Sequence, residues 1–465
     1  MSSFERLSGL DATFLYVEDR AAHMHVGALA VFDGRPPDHG ELLALIASKL
    51  DRVPRYRQRL AFVPLDLGRP VWIDDDRFDL GHHVRRRELT PPGGEEQLEE
   101  LAGRLFGQQL DRERPPWELW VLEGLADGRF AVLAKTHHCM VDGVAGADLA
   151  TVLLDVEPDA TAPPEAPPWT PRAGPDRATL LTASIADQLG HPLALLRGAF
   201  EPSSTAGRTL RELAAGVVPL LGLSRLGRAP ASSLNGPLGP RRCWATASLD
   251  LAAVKAVRAA LGGTVNDVLL AAVAAALREL LRSRGEEPYA DLRVMVPVSA
   301  RGPGGRGAPG NRLTAIFCDL PVGEPDPARR LARVSRETRK LKEGGQALGA
   351  LTWTRLGDLA PPWLLARVAR YQAAHRYMNL VVTNVPGPQY PLYLLGRKMV
   401  GWYPLVPLAP GQTVGVAVQS YDGKMGVGLV GDARRARDLH VLARAIPDAL
   451  AELTTLARHA RTADP

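Results

Sequence analysis

A short apolar run that stops at a block of chemistry constrains this chain more than any other feature. Phe130-Ala131-Val132-Leu133-Ala134 reads as a buried strand. After Lys135 and Thr136 come His137-His138-Cys139-Met140-Val141-Asp142-Gly143, and then the helix-like segment 147–154. Strand, polar block and helix in succession make an α/β arrangement. They set a histidine at the end of a buried strand, where a cavity can open. A side chain so placed suits a general base.

Successive side chains of a strand point to opposite faces. If His137 and His138 both continue the strand, only one faces the cavity, and spacing alone does not choose between them. Two roles fit Asp142: N-cap of the following helix, or an acid that faces an arginine. Gly143 permits a close backbone approach or an unusual φ. Metal binding is disfavoured, because adjacent strand residues diverge and no further histidine lies at ligand spacing. Cys139 lacks a clear third triad member, which disfavours a thiol nucleophile. A second pair, His82-His83, has Arg87-Glu88 where the first has Asp-Gly, and it reads as part of a surface strand.

The chain has 465 residues, 46% apolar and 23% charged, enough for a substantial core and two lobes. Its net charge of +5 is spread over 56 basic and 51 acidic residues. No basic block interleaves with aromatics, so nucleic acid is not an expected partner. The mild positive balance suits phosphates or anionic lipid heads. Cys139, Cys243 and Cys318 are far apart and form no CxxC, which points to a reducing cytoplasm. The start Met1-Ser2-Ser3-Phe4-Glu5-Arg6 has no signal-peptide pattern. The longest apolar runs, Val268 to Leu277 and Leu213 to Leu223, are too short to span a bilayer.

Residues 1–156 read as a first α/β lobe. Strands are expected at His25 to Phe32, Trp117 to Leu122 and Arg129 to Thr136, with helices at Glu41 to Leu50 and Glu95 to Leu105. Prolines cluster from 158 to 175 and mark a linker, so residues 157–243 form a connection that carries helical segments. Residues 244–465 form the second lobe. There Val268 to Leu277 is wholly apolar, as in a buried helix. Thr413 to Tyr421, Asp422-Gly423 and Lys424 to Val430 make a hairpin pattern. Leu439 to Ala460 closes the chain as a helix.

Several blocks recur in the order of a known family. They are Leu7-Ser8-Gly9-Leu10-Asp11-Ala12-Thr13-Phe14-Leu15, Met24-His25-Val26-Gly27, and Pro115-Pro116-Trp117-Glu118, with Pro116 replacing the usual leucine. Then come the segment Leu234 to Arg242, Thr264-Val265-Asn266-Asp267-Val268, Val296-Pro297-Val298-Ser299, Gly310-Asn311-Arg312, and Thr383-Asn384-Val385-Pro386-Gly387-Pro388. HHxxxDG alone is shared with peptide-synthetase condensation domains. With the other blocks, the chain resembles the bacterial wax ester synthase/diacylglycerol acyltransferase family of the chloramphenicol acetyltransferase-like superfamily.

That resemblance implies an α/β fold of two chloramphenicol-acetyltransferase-like lobes with mixed sheets and an active-site channel between them. It implies acyl transfer from acyl-CoA, a co-substrate, with no cofactor, to diacylglycerol or a long-chain alcohol. His138 would be the general base and His137 supportive. Asp142 would be structural and face Arg301 or Arg312. Asn266 and Asp267 would lie near the channel; an N-cap role for Asn266 is compatible with that place. The expected location is cytoplasmic, with peripheral residence on a membrane or lipid droplet left open. The arginine-rich segment 205–228 fits either an anionic surface or packing between lobes. A specialised ester product, a carrier-protein thioester donor and a non-catalytic lipid-binding relative are the alternatives.

Overall fold

The structure, a computed structural model, describes residues 4–64, 67–140, 152–158, 165–186, 227–299, 313–343, 365–367, 370–371 and 375–462. Asp142, Gly143, Arg301, Arg312 and the segment 205–228 lie outside these residues, as does most of the 147–154 helix. The strands in chain order are β1 (Glu5–Arg6), β2 (His25–Phe32), β3 (Gln58–Ala61), β4 (Val71–Asp74), β5 (Val84–Glu88), β6 (Trp117–Glu123), β7 (Phe130–His137), β8 (Arg242–Asp250), β9 (Leu292–Ser299), β10 (Leu313–Leu320), β11 (Leu380–Val385), β12 (Tyr393–Leu394), β13 (Arg397–Leu405), β14 (Val414–Tyr421) and β15 (Lys424–Asp432). The main helices are α1 (Gly9–Val17), α2 (His39–Lys49), α3 (Leu80–His83), α4 (Glu95–Phe106), α5 (Leu251–Leu261), α6 (Val265–Ser283), α7 (Pro327–Glu343) and α8 (Leu439–Thr462).

Two six-stranded mixed sheets organise the molecule, in the orders β12-β13-β2-β7-β6-β5 and β10-β9-β11-β14-β15-β8. The first belongs to the N-terminal lobe, yet β12 and β13 come from residues 393–405, deep in the second half of the sequence. β13 pairs antiparallel with β2, so the second lobe is stitched into the first lobe's sheet. β13 also lies directly on β15. A Cβ added at Gly426 would strike the carbonyl oxygen of Trp402, and one at Gly428 that of Pro404. Two glycines on one face of a strand thus let the backbones of the two lobes touch.

In the second lobe α6 is central. From Val268 to Leu277 all but Ala275 are buried, against α5, α7, α8 and the sheet. Truncating a side chain such as Leu270, fully covered there, costs ~2–5 kcal/mol. The hairpin turns on Asp422 (φ 43°) and Gly423 (φ 79°), the two positive φ angles that a type I′ turn requires. A separate core joins the lobes. Leu98, Leu101, Leu105 and Phe106 of α4 pack with Leu29 and Leu133 of the first sheet, and with Trp244 and Val430 of the second.

The proline-rich stretch is irregular where it is described, but it is tied down. Trp169 packs edge-on to Phe78 and under Arg57, and Arg172 N–H donates to Asp74 Oδ2 at 3.0 Å. Residues 177–186 are helical, and Ser184 accepts from Arg6 at 3.1 Å. This part of the connection therefore belongs physically to the first lobe. Among the described residues no single helix is long and apolar enough to cross a membrane.

Candidate active site

β7 ends at His137, whose Cα faces that of His25 on β2. His138 N–H still donates to Met24 O at 2.8 Å, but the chain then turns into a 3-10 helix, His138–Met140. The two histidines therefore do not alternate along one strand. His137 is the last strand residue and His138 the first of the turn. The turn is fixed locally, because Cys139 N–H donates to His137 Nδ1 at 3.1 Å.

That bond settles the His137 tautomer. With Nδ1 accepting, Nε2 carries the proton and donates to Glu18 Oε2 at 2.7 Å. Arg112 Nη2 donates to the same oxygen at 2.7 Å, and Gln109 Nε2 to Oε1 at 3.0 Å. The Glu18 side chain is 1% exposed. Burial raises its pKa, but the hydrogen bond from His137 and the charge and hydrogen bond of Arg112 bring it down to about 2. Glu18 is an anion in the interior, held there by three donors, His137, Arg112 and Gln109.

His138 is partly exposed, and its ring stacks on Phe14 with centroids 3.8 Å apart and planes at 15°. Its Nδ1 is buried with no hydrogen-bond partner from another described residue. That leaves the Nε2 edge as the accessible one. Burial is the main reason its pKa falls to about 4; a hydrogen bond to its own main chain opposes this, and the neighbouring His137 ring adds to it. The ring is neutral at pH 7, with a lone pair to offer.

Beneath the turn, polar side chains cap a helix. Lys135, on the same face of β7 as His137, donates to Leu105 O and Gln108 O at 3.1 and 2.9 Å and pairs with Glu118 at 3.0 Å. His25 Nε2 meets Phe106 O at 2.5 Å. The carbonyls at the end of α4 are thus satisfied from β7, which carries the motif, and from β2 beside it. From the second lobe, buried Arg242 reaches Ala21 O in the loop between α1 and β2.

The second-lobe block divides. Thr264, not Asn266, is the N-cap of α6: its Oγ1 accepts from Asp267 N–H at 3.2 Å, and Asp267 Oδ2 accepts from Thr264 N–H at 2.8 Å. Asp267 Oδ1 accepts from Thr338 Oγ1 on α7 at 2.7 Å. With both oxygens engaged and 2% exposure, Asp267 fastens α6 to α7. Asn266 is partly exposed; among the described residues no hydrogen bond joins it to His137 or His138.

The other histidine pair differs from its reading as a surface strand. His83 is 1% exposed and ends α3; its ring stacks on Trp117 at 4.5 Å and on Phe78 at 5.3 Å. Only the strand that follows, β5, is a partly exposed sheet edge. Cys139 is buried, and burial pushes its thiol well above its usual pKa, so no thiolate forms. No cluster of three or more metal-ligating side chains occurs among the described residues. Sequence reasoning missed Phe14, Glu18 and Arg112. Phe14 and Glu18 stand four apart at the end of a helix, the only local sign that they share a face; nothing local marks Arg112.

Comparison with known proteins agrees with this architecture. A family model described as the wax ester synthase/diacylglycerol acyltransferase catalytic domain matches residues 7–269, and one described as the WS/DGAT C-terminal domain matches residues 309–454. The chain is similar to a Mycobacterium tuberculosis protein named probable diacylglycerol O-acyltransferase tgs1. They are 37% identical over 460 residues, covering 97% of this chain and 96% of the relative. The solved wax ester synthase/diacylglycerol acyltransferase from Marinobacter aquaeolei VT8 superposes with a TM-score of 0.68 at 28% identity, covering 97% of this chain and 99% of that one. The first condensation domain of the calcium-dependent antibiotic synthetase shares the fold alone, with a TM-score of 0.58 at 18% identity, over 97% of each chain. With both family models matched in order, the chain belongs to the wax ester synthase/diacylglycerol acyltransferase family, whose members are acyl-CoA-dependent acyltransferases.

Proposed function

We propose that this acyltransferase moves a long acyl chain from acyl-CoA to the hydroxyl of diacylglycerol, giving triacylglycerol, and accepts long-chain alcohols to give wax esters. The observation that carries the mechanism is His138. Its ring is neutral and partly exposed, its Nδ1 is buried, and its Nε2 edge is accessible. The two substrates meet between the lobes. His138 Nε2 takes the hydroxyl proton as the oxygen attacks the thioester carbonyl. A tetrahedral intermediate forms, and Asn266 or a backbone N–H is the donor assigned to its oxyanion. As the intermediate collapses the C–S bond breaks, and the thiolate of CoA takes the proton from His138. No acyl-enzyme forms, and acyl-CoA is a co-substrate.

His137 and Glu18 support the base. Glu18 holds His137 by a hydrogen bond, and His137 Nδ1 holds the Cys139 N–H of the turn that presents His138. Asp142, Gly143 and an arginine partner, Arg301 or Arg312, complete the loop in this reading. Diacylglycerol ranks first as acceptor because the tgs1 relative is named for it. Both acceptors dissolve in lipid, so we assign the protein a peripheral place on the cytoplasmic face of the membrane or on lipid droplets. Labelled palmitoyl-CoA offered with diacylglycerol and with hexadecanol tests the proposal. Triacylglycerol in excess of wax ester is expected; no neutral lipid from either acceptor, with folded protein, overturns it.

A further inference from the structure

We propose that α1 is a positioning element for the base, with Phe14 fixing the plane of the His138 ring and Glu18 the orientation of His137. This rests on His138 being the base. Phe14 and Glu18 lie one helical turn apart, so a single face of a single helix addresses both histidines of the motif. The helix is itself well anchored. Ser8 caps its start, accepting from Asp11 N–H at 3.1 Å and donating to Asp11 Oδ2 at 2.6 Å. Ala12 and Leu15 are buried in the first-lobe core, and Glu18 N–H closes the last turn on Phe14 O at 3.2 Å.

The two contacts do different things. An imidazole lying flat on a phenyl ring at 3.8 Å cannot swing about its Cβ–Cγ bond without losing the stack. The same phenyl shields one face of the ring from water, which adds to the burial that keeps it neutral. Among the described residues no hydrogen bond joins Glu18 to His138; Glu18 acts through His137, whose Nδ1 in turn holds Cys139 N–H and so the turn that starts at His138. The titratable and charged groups around the turn are His137 beside His138, and Asp11, Glu18, Arg112 and Arg55 around Cys139. Among these, α1 supplies Asp11 and, at its C-cap, Glu18.

The experiment compares Phe14→Ala, Phe14→Tyr and His138→Ala in purified full-length protein, reading kcat, KM for palmitoyl-CoA and the pH profile. Phe14→Ala should lower kcat by about 10²-fold with little change in KM, because the base is misplaced while ground-state binding is kept. Its acid limb should move up from about 4 toward the ordinary histidine value of 6.5, as water reaches the ring. Phe14→Tyr keeps the stack and should restore both kcat and the limb. A wild-type kcat and an unmoved limb in Phe14→Ala overturn the inference, as does equal loss in folded Phe14→Ala and Phe14→Tyr. If His138→Ala keeps activity, the base assignment itself has failed; if only His138→Ala is inactive, the positioning inference alone has failed.

Discussion

The chain contains two adjacent histidine pairs, and the second ring of each is held at about the same pKa. Burial lowers His83 to about 4 and His138 to about 4. Their surroundings are otherwise opposite. His83 is closed in between Trp117 and Phe78; its Nδ1 donates to Trp117 O at 2.9 Å, and its Nε2 is buried with no partner among the described residues. His138 stacks on Phe14, its one aromatic neighbour among the described residues, and it is Nδ1 that is buried. One ring has spent its donor on the core and hidden its lone pair. The other keeps Nε2 on the accessible side. A depressed pKa therefore marks burial, not function, and the site is distinguished by which nitrogen is left free to meet a substrate.

The largest effect that separates the pairs is expected at His138. His138→Ala should lower kcat by ~10²–10⁴-fold with an unchanged melting temperature, measured by release of free CoA thiol. Wild-type kcat/KM should be flat from neutral pH down to about 5 and fall as His138 protonates near 4, a limb read in short stopped-flow assays. Stability should follow the buried rings in the same direction. The folded pKa of His83 lies below its unfolded value of 6.5, so the unfolded chain takes up the proton first. Its contribution is whole above pH 6.5 and is lost as pH falls from 6.5 toward 4, and urea titrations at several pH values would record it. His83→Ala leaves the Trp117 carbonyl unpaired in the core and should cost about 1–3 kcal/mol in those titrations, with kcat per folded molecule unchanged. The smallest effect lies away from both pairs. Thr264→Ala removes the N-cap of α6 and should cost ~1 kcal/mol by thermal unfolding.

The sequence made the regular elements legible wherever one residue pattern decides them. The strand-forming run His25 to Phe32, the apolar run in α6 and the Asp422-Gly423 turn are local signals, and the structure follows them closely. What local pattern cannot reveal is pairing at long range. Nothing in residues 393–405 announces that they join a sheet made by residues 25–32 and 130–137. The same limit governs the site. HHxxxDG was visible because its residues are consecutive. Arg112 meets Glu18 from 94 positions away, and Asp267 meets Thr338 from 71, so their commitments emerge only after folding. His83 was misread for a related reason: its charged neighbours in sequence say nothing of Trp117, whose ring covers it.

Diethyl pyrocarbonate modification, mapped by peptide mass spectrometry against residual activity, tests the distinction between the two rings most directly. The reagent attacks a neutral, accessible imidazole nitrogen. Activity is predicted to fall in step with modification of His138, acyl-CoA to protect it, and His83 to stay unmodified while the protein is folded. Full modification of His138 with activity intact, or inactivation that tracks His83, would contradict the account.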